Sequence, residues 1–365
     1  MAENTQATRK YYVWVSILGI AILAGLVTAF QVFTKGLGIY GGNDTLVWTL
    51  PIAAYVFFAL TSTGLTLVAS IPTVFGVKQF DLVAKRAIYL AIASLIAAFI
   101  SLGLDLGSLS NLIHFLTSPN MASPMWWMGA LYVLEVILLG VKFWRMQVSD
   151  LTSRFYTVLS VLAFLVAIAA SSTLGVVFGS IEARPSFFGE FMPVYFLLNA
   201  LLSGLAVIIL SNLIKKIDPV EDFSNLLRVV LGLALILFVW RTFVGLNANS
   251  PEYASFKHMS GTWLFQVEFW LGLVLPFLLL LVPVFRDKVW AKFATAGLVL
   301  AGLFVRGLLL VESGLSIPGD PRLTGVPGIA TVSYTVWEWL VFVFALAVLF
   351  LLYTIGDKYF DLETA

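Results

Sequence analysis

Three sets of polar side chains stand out in a chain that is otherwise strongly apolar. Asp105 and His114 lie nine residues apart in DLGSLSNLIHFLTSPNMASPMWW, the most polar-patterned stretch of the sequence. A carboxylate and an imidazole near one surface suit proton abstraction from a hydroxyl group as it is oxidised. The competing reading is structural: Asp105 caps a following short helix and His114 is an interfacial side chain. The second set is the run ASSTLG, Ala170 to Gly175. Ser171, Ser172 and Thr173 can bond a ligand carbonyl, or they bond back to their own helix while Gly175 lets another helix approach.

The third set is five ionisable residues inside apolar text: Glu135 in LYVLEVILLG, Arg241 in ILFVWRTFVG, Glu268 in FQVEFWLGLV, Arg306 in AGLFVRGLLL and Glu338 in YTVWEWLVFVF. A charge at bilayer depth costs about 2.5–3.5 kcal/mol on insertion scales, so it implies a partner or a task. At about 1.5 Å of rise per residue, Arg241, Glu268, Arg306 and Glu338 fall at a common depth, about 9–12 Å below one surface. Two charges of each sign at one depth predict a structural ion-pair network, because an unpaired buried ion costs far more than a pair. Glu135 lies near the middle of its stretch with no cation predicted at its depth. A lone carboxyl there favours its protonated form and can relay protons.

The elements that hold these residues follow from composition. The chain is 60% hydrophobic and 11% charged, outside the range of soluble domains. Ten apolar runs, each long enough for a hydrocarbon core of about 30 Å, cover approximately 11–34, 47–76, 83–104, 124–146, 152–179, 191–214, 223–246, 260–284, 289–311 and 332–355. They must be helices, because the backbone finds no water to bond in lipid. The alternating segments of a transmembrane barrel are absent. The expected fold is an all-α integral membrane protein of ten transmembrane helices. The first run is too long for a signal peptide and lacks a small-residue cleavage site, so it is expected to be retained.

Lysine and arginine give the orientation. Arg9, Lys10, Lys78, Lys85, Arg86, Lys142, Arg145, Arg154, Lys215, Lys216, Arg228, Arg286, Lys288, Lys292 and Lys358 mark one side; Lys35, Arg184, Lys257 and Arg322 mark the other. This bias predicts a cell-membrane protein with both termini in the cytoplasm. The outer connections are the longer ones and include GLGIYGGND and SIPGDPRLTGVPG, which suit a partner docked on that face or serve only to join helices.

There are no cysteines, and the only histidines are His114 and His258, both in or beside outer connections. Thiolate-held iron–sulfur clusters and thiolate zinc sites are excluded. An intrinsic membrane haem, which takes histidines from within helices, is not expected, nor is any other metal. Electrons, if handled, belong to a partner or to a lipid-soluble carrier, and no nucleic-acid partner is expected.

A weak repeat relates Tyr55–Ser70 to Tyr195–Leu210, with Tyr55 to Gly64 and Tyr195 to Gly204 equally spaced. It predicts a parallel duplication: an N-terminal helix and loop over 1–46, four-helix bundles over 47–180 and 181–312, and a loop and flanking helix over 313–365.

The segment DLGSLSNLIHFLTSPNMASPM resembles the loop after the third span of the polysulfide reductase membrane-subunit (NrfD-like) family, with its Asp-Leu-Gly, Pro-Asn and Ser-Pro-Met. FQVEFWLGLVLPFLLL, LFVRG and SYTVWEWL are similar to the ten-span branch, which includes membrane subunits of a periplasmic nickel–iron hydrogenase, alternative complex III and the sulfite-reduction-associated complex. The resemblance covers nearly the whole chain. It implies a haem-free subunit, not catalytic alone, that exchanges electrons between menaquinone or ubiquinone and a ferredoxin-like iron–sulfur subunit on the outer face. Further catalytic or cytochrome subunits belong to such complexes. It also implies a quinone pocket in the first bundle, which favours Asp105, His114, Ser171 and Ser172, with Glu135 as proton relay. One departure is visible: relatives often carry His-Gln-Ser-Ser-Leu-Gly in the fifth span, where this chain has Ala170-Ser171-Ser172-Thr173-Leu174-Gly175 and no histidine. A transporter or ion-translocating subunit and a passive anchor are the competing readings. Against the transporter, the only mild interruption of a span is Gly272 with Pro276.

Overall fold

A computed structural model describes residues 2–42, 48–107, 113–115, 117–148, 151–181, 186–217, 220–248, 254–312, 333–360 and 362. Among them there is no strand, and ten helices are long and apolar enough to cross a membrane. They are α1 (Ala2–Lys35), α2 (Leu50–Phe75), α3 (Asp81–Asp105), α4 (Pro124–Gln147), α5 (Arg154–Gly179), α6 (Met192–Lys215), α7 (Val220–Asn247), α8 (Trp263–Leu281), α9 (Val289–Glu312) and α10 (Val336–Tyr359). The protein is an all-α integral membrane protein. Of the two loop sequences singled out above, SIPGDPRLTGVPG lies outside the described residues, as does the end of GLGIYGGND.

The helix limits have local causes. Ser153 caps α5 by accepting the Tyr156 N–H at 3.1 Å, and Thr262 caps α8 by accepting that of Phe265 at 3.4 Å. α2 stops at Gly76, whose positive φ of 74° lets its N–H close on the Pro72 carbonyl at 2.9 Å.

α2 is the central helix. It packs against α3, α5, α6, α9 and α10, and nearly all of its residues are buried. Small residues make this possible: Ala53, Ala54, Ala59, Ser62, Thr63, Gly64 and Ala69 all lie buried on it. α2, α3, α4 and α5 contact one another in a closed sequence of neighbours, and α6, α7, α8 and α9 form a second one. α1 and α10 pack together, and α10 also leans on α3. Trp14 Nε1 donates to Thr354 Oγ1 at 3.0 Å and Lys358 lies over the Tyr11 ring, so the start of α1 and the end of α10 share one end of the molecule.

The two glycines of the sequence repeat meet. A methyl group on Gly64 would overlap the Ala200 carbonyl, and one on Gly204 would overlap the backbone of Gly64. α2 and α6 therefore cross in backbone contact where only glycine fits. A π-helical turn, Trp270–Val274, interrupts α8. It sits beside the Gly272–Gly302 contact with α9 and just before Pro276, which has no N–H to donate.

Candidate functional site

At the end of the molecule away from the chain termini, Asp105 closes α3 and accepts a 2.6 Å hydrogen bond from Thr49 Oγ1, just before α2. Tyr40 donates to the Leu104 carbonyl at 3.3 Å. Burial, reinforced by Asp105 and Glu338 nearby, holds the Tyr40 phenol well above its ordinary ionisation range, so it stays a donor. His114 is exposed, and Asp105 takes a hydrogen bond from Thr49. The residues that join the two in sequence, 108–112, lie outside the described residues.

Depth alone groups Glu338 with the buried charges, and the structure corrects this. Its carboxylate accepts the backbone N–H groups of Gly41 at 3.0 Å, Leu50 at 3.1 Å and Thr335 at 2.7 Å. It ties the loop after α1 and the start of α2 to the first turn of α10. Its charge is satisfied by three backbone donors, two of them at the starts of α2 and α10, and by no arginine among the described residues. Tyr334, two residues before α10, donates to Glu312 Oε1 at 3.1 Å, and burial beside that carboxylate pushes its phenol up.

Glu135 is fully buried on α4. Its Oε1 accepts from Thr66 Oγ1 of α2 at 3.0 Å, while Oε2 has no partner among the described residues. One turn further along α2, Ser70 Oγ donates to the Thr66 carbonyl at 2.7 Å and stands 3.5 Å from Lys142 Nζ. Lys142, read from the sequence as an edge cation, is fully buried, two turns along α4 from Glu135 and over the Tyr156 ring. The carboxyl and the amine thus lie in one polar column, linked through the Thr66 hydroxyl and carbonyl and the Ser70 hydroxyl rather than in contact. Sequence reasoning missed Thr66, Ser70 and Lys142. Their signal is the spacing, four residues on α2 and seven on α4, which puts each pair on one helix face.

Ser171 on α5 is fully buried, and its hydroxyl has no partner among the described residues. Ser172 is half-buried, and Thr173 bonds back to the Ala169 carbonyl at 2.7 Å. The Ser62 hydroxyl on α2 is also buried without a partner among the described residues, and the buried hydroxyls of Thr63 on α2 and Tyr132 on α4 face one another. Buried polar atoms are normally satisfied, so unsatisfied ones on α2, α4 and α5 are where water or a ligand with hydrogen-bonding oxygens would be bound.

In the other half of the chain, Arg306 of α9 is ion-paired with Glu268 of α8 and donates to Asn199 Oδ1 of α6. Tyr195 donates to the same Glu268 oxygen at 3.1 Å. Arg241 is not ion-paired with Glu268 but adjoins the pair through Tyr195: it donates to the Ser186 carbonyl, stacks on Phe187, Tyr195 and Phe256, and lines a cleft of about 180 Å³. An enclosed cavity of about 20 Å³ beside Arg306, Asn199 and Tyr195 holds at most about one water.

A family model, "Polysulphide reductase, NrfD", matches residues 38–319, most of the chain. The chain belongs to the NrfD polysulphide reductase family. Among its relatives is the Hdr-like menaquinol oxidoreductase integral membrane subunit of Archaeoglobus fulgidus, 26% identical over 97% of this chain and 94% of the relative. The membrane subunit of a putative dimethyl sulfoxide reductase of Halobacterium salinarum is 25% identical over 87% of this chain and 80% of its own length. A selenate reductase subunit of Mesobacillus selenatarsenatis is 21% identical over 89% and 86%. The NrfD match runs from the loop before α2 to just past α9, so it takes in both closed sets of helices and leaves α1 and α10 outside.

Proposed function

We propose that this NrfD-family chain is the quinone-reactive membrane subunit of a multi-subunit respiratory oxidoreductase in the cell membrane, with both termini cytoplasmic. The observation that carries the reading is the set of buried oxygens on α2, α4 and α5: Ser62, Ser171 and Oε2 of Glu135, unpartnered among the described residues, with Tyr132 and Thr63, which face one another. A quinone needs hydrogen-bond partners for two ring oxygens and apolar walls for its ring and tail, and these hydroxyls and carboxyl among apolar helices would supply the partners. The near full-length likeness to a menaquinol oxidoreductase subunit supports it.

In this reading the helices α2–α5 form the first four-helix bundle and hold the quinol, and α6–α9 form the second. Oxidation releases two electrons and two protons. The electrons pass to an iron–sulfur cluster of a ferredoxin-like subunit docked on the outer face, with further catalytic or cytochrome subunits beyond it. Asp105, held by Thr49, accepts a proton at the outer end, His114 receives protons at the rim, and Glu135 relays protons from the buried end. Electrons can run the opposite way through the same groups. The test is quinone content and quinol oxidation of the purified complex. Asp105→Asn with His114→Ala is expected to slow oxidation by about 10²-fold or more. Unchanged oxidation in a complex free of quinone overturns the reading.

The column from Glu135 through Thr66 and Ser70 to Lys142 favours a second, compatible reading, in which the chain also moves protons across the bilayer. Acidification measured in liposomes during quinol oxidation separates the two: a Lys142→Met variant is expected to lose proton movement and keep electron transfer.

A further inference from the structure

The two closed sets of helices correspond at several of their contacts, and the match breaks around the buried glutamates, where Thr66 of α2 answers to Ala206 of α6, Ala59 to Asn199, and a third pair differs in charge. Tyr55 and Tyr195 each stand nine residues before the glycine at the α2–α6 crossing. On α5, a methyl group at Gly175 would lie 2.6 Å from the Pro193 Cα; on α9, one at Gly307 would lie 3.0 Å from the Ala53 carbonyl. Pro193 and Ala53 each precede the repeat tyrosine by two residues, so Gly175 and Gly307 are equivalent. On the third helix of each set, Leu131 and Leu264 each stand four residues before a buried glutamate, Glu135 or Glu268. Tyr132 and Phe265, one residue further on, are both buried.

The register then places Arg306, just before Gly307, opposite Leu174, just before Gly175. Arg306 is ion-paired with Glu268 and leaves a cavity of only about 20 Å³ beside it. Leu174 is fully buried and offers Glu135 nothing to pair with. Glu135 faces Thr66 in contact, Tyr55 of α2 and Tyr132 one turn away on α4, with Lys142 two turns along. Glu268 faces Tyr195 and Arg306, with Arg241 beyond Tyr195.

We propose that α6–α9 is a locked copy of the site in α2–α5, and that position 174 against 306 decides which glutamate carries an exchangeable proton. With leucine, the carboxyl is uncharged and exchangeable. With arginine, it is half of a fixed pair and the guanidinium fills the space a ligand would take. This rests on the proposed role of Glu135 only for its consequence in quinol oxidation, since the protonation itself can be read without quinone.

The test is infrared pH-difference spectroscopy on the purified full chain, with four variants. A protonated carboxyl band that Glu135→Gln removes is expected in the unmodified chain. Leu174→Arg is expected to remove the same band by ionising Glu135. Arg306→Leu is expected to add a second band, which the Arg306→Leu/Glu268→Gln double variant lacks. Retention of the Glu135 band in a folded Leu174→Arg chain, or no new band in Arg306→Leu, overturns the proposal. If Leu174→Arg fails to fold, the Arg306→Leu pair decides alone. In the complex, Leu174→Arg is also expected to slow quinol oxidation about tenfold or more. Infrared changes as expected with oxidation unaffected would uphold the locked copy and remove Glu135 from quinol chemistry.

Discussion

Gly64 of α2 and Gly204 of α6 lie backbone against backbone, each where the other's Cβ would have to be. The contact joins the two halves of the chain on the central, most buried helix. It also fixes the register of everything around it, because a side chain at either glycine would push apart helices that carry Glu135 and Glu268 on their neighbours.

Gly64→Val is expected to destabilise the protein by about 1–3 kcal/mol or to prevent folding, since the Ala200 carbonyl is backbone and cannot turn away. Gly140→Ala, where a methyl group meets nothing within 4 Å, is expected to leave stability unchanged. Thermal unfolding in detergent compares the two, and equal behaviour would contradict the packing.

Removing one partner of the Arg306–Glu268 pair is expected to cost about 3–5 kcal/mol, because the group left behind is a buried charge without a partner or, for Glu268, must take up a proton. Arg306→Met with Glu268→Gln is expected to recover most of that loss. A double-mutant cycle on unfolding checks it, and additive losses would mean that the two residues do not share one interaction.

Glu338→Ala orphans the N–H groups of Gly41, Leu50 and Thr335 together. The expected cost is about 2 kcal/mol or more, with Glu338→Gln milder because one acceptor oxygen remains. Hydrogen exchange at Leu50 should rise in the alanine variant first; protection equal to the unmodified protein would contradict the three-way tie.

Lys142 has a hydroxyl and a ring beside it but no carboxylate in contact among the described residues. Lys142→Met is therefore expected to be neutral or stabilising in thermal unfolding, since it removes a buried amine whose charge no adjacent carboxylate offsets. A drop of several degrees would show that the amine is held by a partner of opposite charge.

The ten helices were legible because span length and apolarity are set by the bilayer and need no knowledge of neighbours: 124–146 and 289–311 fall within two residues of α4 and α9. The glycine contact was half legible, as equal Tyr-to-Gly spacing, without any sign that the two glycines touch. The partners of the buried charges were not legible. Arg241, Glu268, Arg306 and Glu338 are expected from the sequence at one depth, yet Glu268 pairs with Arg306, while Glu338 lies in the first turn of α10 and turns to three backbone donors. Depth follows from rise per residue; direction follows from how each helix is rotated about its axis.

By itself the sequence determined the all-α membrane class, the number of spans and the NrfD likeness, because hydropathy and short ordered motifs act along the chain. The tertiary structure alone decided that Lys142 joins Glu135 through Thr66 and Ser70, and that Leu174 stands where Arg306 stands in the other half. Helix rotation is set by contacts between residues more than a hundred positions apart, such as Gly64 and Gly204, and no local pattern encodes it.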